Sequence, residues 1–142
     1  MKRIQPSRGA RGFTLLELVI VLIILGTIMA FLAPRIFGNV GKANQALAKA
    51  KMEQLSGQLE ILRLEVGRYP NASEGLKALV DKPAGMDKWN GPYVKDQTTL
   101  KDPWGNDFRY NQPGRDNRPF EIVTLGADGK EGGEGEDKDL VN

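Results

Sequence analysis

FTLLELVIVLIILGTIMAFLA, residues 13–33, decides the fold, because these twenty-one residues carry only three polar side chains. As an α-helix rising about 1.5 Å per residue, the stretch would be roughly 31 Å long, about the thickness of a bilayer core. A helix that is apolar on every side has no face to turn toward water. The stretch therefore predicts a helix that enters a membrane or a buried seam between helices.

One charged residue, Glu17, lies within this apolar run. An unpaired carboxylate costs about 2.5–3.5 kcal/mol at the centre of a membrane helix and less near the interface. Glu17 could lie shallow enough to reach the interface or to stay protonated. Alternatively, a cation at the same depth in the membrane could pair with the Glu17 carboxylate. The run contains no Lys or Arg, but cleavage after Gly12 would create such a cation at the α-amine of Phe13.

The segment GFTLLEL, residues 12–18, follows a leader with four basic residues and no acid. This pattern resembles the class III signal of type IV pilins and pseudopilins. The resemblance implies that a membrane-embedded prepilin peptidase removes residues 1–12 and methylates the new amine of Phe13. It also implies that Glu17 pairs with the amine of a neighbouring subunit during assembly.

Two ordinary alternatives are an uncleaved signal anchor and a secretory signal peptide. A secretory signal has an apolar core of about 7–15 residues followed by a small-residue cleavage site. The apolar core here is longer, and the nearest candidate cleavage site, Ala33, is followed by Pro34. A secretory signal is therefore disfavoured, whereas a signal anchor would leave residues 1–12 attached.

Composition limits the chemistry of the chain. There is no cysteine and no histidine, which excludes disulfides, thiol nucleophiles, Cys/His zinc sites and a Ser-His-Asp triad. The basic flank before the helix predicts a cytoplasmic amino terminus and a domain on the far side of the membrane. No aromatic-interleaved basic stripe is present, so we expect no nucleic-acid partner.

Residues 34–66 are predicted to form an amphipathic helix. Pro34 disfavours helical geometry at Ala33, so we expect a bend there and regular helix again from Lys42. Apolar residues then recur at alternating spacings of four and three, which predicts one buried stripe: Ala48, Met52, Leu55, Leu59, Leu62 and Val66. A second apolar set suggests that part of the other face also finds a partner: Ala43, Ala46, Leu47, Ala50 and Ile61.

Residues 67–142, called the head below, read as a small α+β domain. Ser73 is expected to cap a short helix, and the sequence Asp-Pro-Trp-Gly-Asn from Asp102 is typical of a type I turn. Alternation around Phe108 and Tyr110, and again from Phe120, predicts two or three short antiparallel strands packed on the helix. The phrases GRYP and EGLKAL, residues 67–70 and 74–79, are similar to major pseudopilins of type II secretion systems, and imply their lollipop-shaped fold.

Residues 125–139, called the acidic loop below, carry six carboxylates interrupted by five glycines. So many like charges repel one another unless a cation is shared, and oxygen-only donors on a flexible loop suit calcium. From composition alone a solvated acidic tail remains an equal alternative. The resemblance to major pseudopilins implies a structural Ca²⁺ held by the Leu125 carbonyl, Asp128, Asp137 and Asp139, with Glu134 and Glu136 as possible substitutes.

The same resemblance implies a structural subunit, not an enzyme. The subunit would wait in the inner membrane and then polymerise into a helical periplasmic pseudopilus that drives protein export. Implied partners are further copies of the chain, the prepilin peptidase, minor pseudopilins, and an inner-membrane assembly platform with its ATPase. The rivals are a type IV pilin for adhesion or DNA uptake and a signal-anchored periplasmic binding domain.

Overall fold

The computed structural model describes residues 12–142, except for the side chains of residues 33–37 and 39. Most of the predicted leader, residues 1–11, lies outside the described part. The chain divides into one unit that ends at Gly38 and a second unit, Asn39–Asn142. The secondary structure is one long helix followed by short strands and 3₁₀ turns, so the predicted α+β class is confirmed.

The long helix, α1, spans Leu15–Val66. Its segment Leu15–Leu32 is long and apolar enough to cross a membrane, and none of that segment is buried among the residues that the structure describes. Phe13, just before the helix, is 82% exposed. The apolar surface predicted from the sequence is therefore present and open to a lipid or protein partner.

Helical structure continues through Pro34, Gly38 and Gly41. The expectation that regular helix resumes only at Lys42 is therefore wrong. A proline removes one backbone hydrogen bond and crowds the preceding turn, and glycine weakens a helix by about 1 kcal/mol relative to alanine. These are local costs, which the long hydrogen-bonded segments on both sides can offset.

The second half of α1 forms one wall of the hydrophobic core. The predicted stripe is confirmed, since five of its six members are buried and Val66 is partly buried: Ala48, Met52, Leu55, Leu59 and Leu62. Apolar residues of the head pack against this stripe, among them Leu79, Met86, Phe120 and Ile122. The second apolar set on the other face is exposed in the single chain.

Three short strands form an antiparallel sheet in the order β1-β2-β3. They are β1 (Arg109–Asn111), β2 (Glu121–Thr124) and β3 (Leu140–Val141). In register, Tyr110 lies opposite Ile122, and Val123 lies opposite Val141. The central strand β2 is buried along its whole length. The acidic loop joins β2 to β3, so the sheet holds both ends of the loop.

Before the sheet, a 3₁₀ helix spans Gly75–Leu79. Ser73 does not cap it, contrary to expectation. The side-chain oxygen of Asn71 instead accepts hydrogen bonds from the backbone N–H groups of Ser73, at 3.0 Å, and Glu74, at 2.9 Å. Asn side chains readily bond to the backbone two residues on, and the Ser73 hydroxyl donates to the same Asn71 oxygen at 2.6 Å.

The central strand carries a buried carboxylate, Glu121, which is 0% exposed. The Arg115 Nε donates to both carboxylate oxygens at 3.0 Å, and Asn111 and Arg118 also donate to it. The hydrogen bond from Arg115 holds the pKa of Glu121 below its ordinary value of 4.5. A depressed folded-state pKa stabilises the fold above the unfolded pKa, and that stability is lost as pH falls through the folded pKa.

We therefore predict that Glu121→Gln lowers the melting temperature at pH 7 by on the order of 5 °C. The deficit should shrink as pH falls below 4.5, because the wild-type ion pair is then lost as well. Thermal unfolding followed by circular dichroism across this pH range measures the effect. Glu131→Gln is the matched control, since Glu131 pairs with Arg109 but its side chain is 81% exposed. A deficit that is equal in both variants, or independent of pH, would contradict the prediction.

Candidate functional site

The predicted cleavage site lies in a short non-helical segment, residues 12–14, directly before α1. Gly12 and Phe13 are both exposed, and no described atom lies within 4 Å of the position that a Gly12 Cβ would occupy. A peptidase needs an extended, uncovered backbone at the bond it cuts. The peptide between Gly12 and Phe13 is non-helical and exposed in the described part of the chain, which is compatible with that requirement.

Thr14 and Glu17 define the start of α1. The Thr14 Oγ1 accepts a hydrogen bond from the Glu17 N–H at 3.2 Å, which is the usual geometry of a helix N-cap. Glu17 lies in the first turn, where a carboxylate interacts favourably with the helix dipole. Among the side chains that the structure describes, no cation forms an ion pair with Glu17. The carboxylate thus lies four residues after Phe13, in the first turn of the helix, without an ion-pair partner in the described part of the chain.

The acidic loop closes where its beginning meets its end. The Ala127 N–H donates to the Glu136 carbonyl at 3.0 Å. Gly126 has φ +69°, and a Cβ there would lie 2.6 Å from the Glu136 oxygen. Gly133 is similarly close to the main chain of Asp137. Glycine is required at these two contacts because any side chain would collide with backbone.

The predicted calcium ligands lie at different places in this loop. Asp139 Oδ2 accepts from the Gly132 N–H at 2.9 Å, whereas Asp139 Oδ1 is buried and has no hydrogen-bond partner among the described residues. Asp128 Oδ1 accepts from the Lys130 N–H at 3.0 Å. Leu125 and Asp139 line one cavity of about 340 Å³, together with Arg109, Asn111, Arg115, Val123 and Glu131.

These placements fit a cation in part. A buried carboxylate oxygen without a partner is costly, and a calcium ion would satisfy it. Within residues 12–142, however, no three acidic side chains converge on one point. Asp128, Asp137 and Asp139 are therefore not brought together as a carboxylate cluster, and main-chain oxygens would have to supply part of any coordination shell. The glycine-rich backbone of the loop offers such oxygens.

The sequence did not indicate three residues that support this loop. Asp102, Asn106 and Thr124 form a hydrogen-bonded group that reaches Gly126. The turn itself was predicted and is confirmed, since the Gly105 N–H donates to the Asp102 carbonyl at 3.1 Å. Its link to the acidic loop was missed, because it joins residues about twenty positions apart. No sequence pattern around Asp102 reports a contact over that separation.

Comparison with known proteins agrees with the geometry at both ends of the chain. The family model "Type II secretion system (T2SS), protein G" matches residues 35–142. The model "Prokaryotic N-terminal methylation motif" matches residues 7–33, which include the Gly12–Phe13 bond and Glu17. The second match corresponds to the basic leader and apolar run from which the processing signal was inferred.

Similar proteins cover nearly the whole chain. The type II secretion system core protein G of Vibrio cholerae is 43% identical over 141 residues, covering 97% of this chain and 94% of the relative. That of Pseudomonas aeruginosa is 38% identical over 146 residues, covering 100% of this chain and 98% of the relative.

A solved structure gives the same result for the fold. The crystal structure of the major pseudopilin from the type 2 secretion system of enterohaemorrhagic Escherichia coli matches with a TM-score of 0.60 and 31% identity. The match covers 75% of this chain and 91% of that one. Because the protein G model also matches more than half of the chain, the chain belongs to the protein G family of type II secretion systems.

Proposed function

We propose that this protein is the major pseudopilin of its secretion system, a structural subunit that polymerises into a periplasmic filament. One observation carries the proposal: none of the apolar segment Leu15–Leu32 is buried by the residues that the structure describes. In the membrane, lipid covers this surface. In a filament, the same surface would be covered by the helices of identical subunits.

Processing by a prepilin peptidase would prepare the subunit for assembly. Cleavage after Gly12 removes the basic leader and leaves the α-amine of Phe13 at the start of the apolar run. Methylation keeps that amine basic, so it still carries a positive charge near neutral pH. The match to the N-terminal methylation motif supports this step.

The Glu17 carboxylate would then pair with the Phe13 amine of a neighbouring subunit. Moving an apolar helix from lipid to a helix bundle gains little hydrophobic energy, because lipid tails are as apolar as the helix. A charge pair in this low-dielectric setting is worth more than it is in water. The pair between Glu17 and the Phe13 amine would therefore set the axial register of an incoming subunit against its neighbours.

The amino terminus would face the cytoplasm and the head would lie in the periplasm, as the basic leader predicts. Work is needed to lift each subunit out of the bilayer, and the printed sequence contains no P-loop of its own. An inner-membrane platform with an ATPase would supply that work, and minor pseudopilins would occupy the filament tip. This function needs no catalytic residue in the head.

Calcium would stabilise the head by bridging the acidic loop. The proposed ligands are the Leu125 carbonyl, Asp128, Asp137 and Asp139, with Glu134 and Glu136 as possible substitutes. A bound Ca²⁺ would neutralise the loop's mutual repulsion and satisfy the unpartnered Asp139 oxygen. The head has no cysteine, so a disulfide cannot stabilise it, and a bound metal ion is another common way to stabilise so small a domain.

The assembly step predicts that Glu17→Ala abolishes filaments but spares membrane insertion, because alanine removes the charge and leaves the helix more apolar. Membrane fractionation measures insertion, and electron microscopy of sheared filaments measures assembly. Glu53→Ala is the matched control, since Glu53 is an exposed acid on the same helix outside the apolar run. Normal filaments from the Glu17 variant would contradict the pairing.

The calcium site predicts a calcium-dependent melting temperature for the full chain in detergent. A ligand at 100 times its Kd stabilises by about 2.7 kcal/mol, which is on the order of 10 °C for a domain of this size. Tryptophan fluorescence reports on the head, because both tryptophans, Trp89 and Trp104, lie there.

Asp139→Asn should lose the calcium-dependent shift, whereas the exposed Asp81→Asn should keep it. Magnesium at the same concentration should give a smaller shift, because it demands a stricter octahedral site. Identical melting curves for wild-type protein in chelator and in excess calcium would contradict the site.

A further inference from the structure

The turn that begins at Asp102 holds a buried, fully engaged carboxylate. Asp102 is only 4% exposed. Its Oδ1 accepts from the backbone N–H groups of Trp104, at 3.0 Å, and Asn106, at 2.8 Å. Its Oδ2 accepts from the Thr124 hydroxyl at 2.6 Å, in a bond between two buried side chains. A buried charge is tolerated only when it is satisfied in this way.

From this carboxylate, two hydrogen-bonded routes reach the same residue in the acidic loop. Along the first, the Thr124 Oγ1 accepts from the Gly126 N–H at 3.3 Å. Along the second, the Asn106 side-chain amide donates to the Gly126 carbonyl at 3.1 Å. The N–H and the carbonyl of Gly126 are therefore both held by side chains. Asp102 orients the first of these, the Thr124 hydroxyl, and anchors the backbone of the second, Asn106.

Gly126 is the point at which the loop closes. Its backbone lies against the main chain of Glu136 and Asp137, closely enough to exclude a Cβ. The preceding residue is Leu125, whose carbonyl is one proposed calcium ligand. The close backbone contact between Gly126 and Asp137 sets the position of Asp137, a second proposed ligand. A shift of the Gly126 peptide would therefore move two of the proposed calcium ligands relative to each other.

We propose that Asp102 is a positioning residue for the calcium site, acting through Thr124 and Asn106 on the peptide groups of Gly126. The inference rests on the calcium binding proposed above. Calcium requires oxygens at about 2.3–2.6 Å from the ion. Fixing the loop's start in advance lowers the ordering cost of binding, and groups behind the ligands commonly change metal affinity by about 10–100-fold.

A purely structural role for this network makes a different prediction. If the network only stabilised the turn and β2, its loss would lower stability equally with and without calcium, and the affinity for calcium would not change. A positioning role changes the calcium affinity itself. Affinity measured directly on folded protein therefore separates the two roles.

The test is isothermal titration of calcium chloride into the full chain in detergent. Thr124→Val keeps the side-chain shape but removes the hydroxyl that links Asp102 to Gly126, and should weaken calcium binding by about tenfold or more. Thr124→Ser keeps the hydroxyl and should restore wild-type affinity. Asp107→Asn is the control from the same turn, because the Asp107 side chain is 78% exposed and lies outside the network.

Wild-type affinity in Thr124→Val would overturn the inference and leave the calcium site itself standing. Should that variant fail to fold, Asn106→Ala breaks the second route at a half-buried residue, and its affinity is compared with that of the exposed control Asn90→Ala. Unchanged affinity in Asn106→Ala would then overturn the inference. Absence of calcium binding by wild-type protein would overturn the calcium proposal and this inference together.

Discussion

An apolar helix surface that no described part of the chain buries is the constraint on which the rest of the molecule depends. None of the segment Leu15–Leu32 is buried within residues 12–142, and water offers it no favourable contact. Lipid and a bundle of identical helices both do. The proposed storage in the membrane and use in a filament would each give this surface an apolar partner.

The head must remain folded in both environments without a disulfide. Its core is built on the same helix, because the stripe from Ala48 to Leu62 is buried against the sheet and the 3₁₀ turns. The acidic loop connects β2 to β3, so the order of the loop and the order of the sheet are linked. A cation in the loop would therefore support β2 and β3 as well as the loop itself.

Features encoded by short-range patterns were predictable from the sequence. The stripe around Leu55 and Leu59 follows from helical spacing, and the turn at Asp102 follows from its Asp, Pro and Gly. Continuation of the helix through Pro34 was not predicted. The effect of proline is local, whereas the hydrogen bonds that stabilise the helix there lie in the turns on both sides. Burial of Glu121 and the link from Asp102 to Gly126 depend on contacts between distant segments, which periodicity does not report. The same limit applies to the loop, where composition left a bound cation and a solvated tail as equal alternatives and could not place any ligands.

The intact mass of the protein extracted from membranes tests the central claim most directly, because the charge partner proposed for Glu17 would exist only after cleavage. The expected species begins at Phe13, lacks residues 1–12 and is heavier than the bare cleaved chain by one methyl group. A filament-forming species that still begins at Met1 would contradict the claim, since its amine would lie twelve residues away from the apolar run.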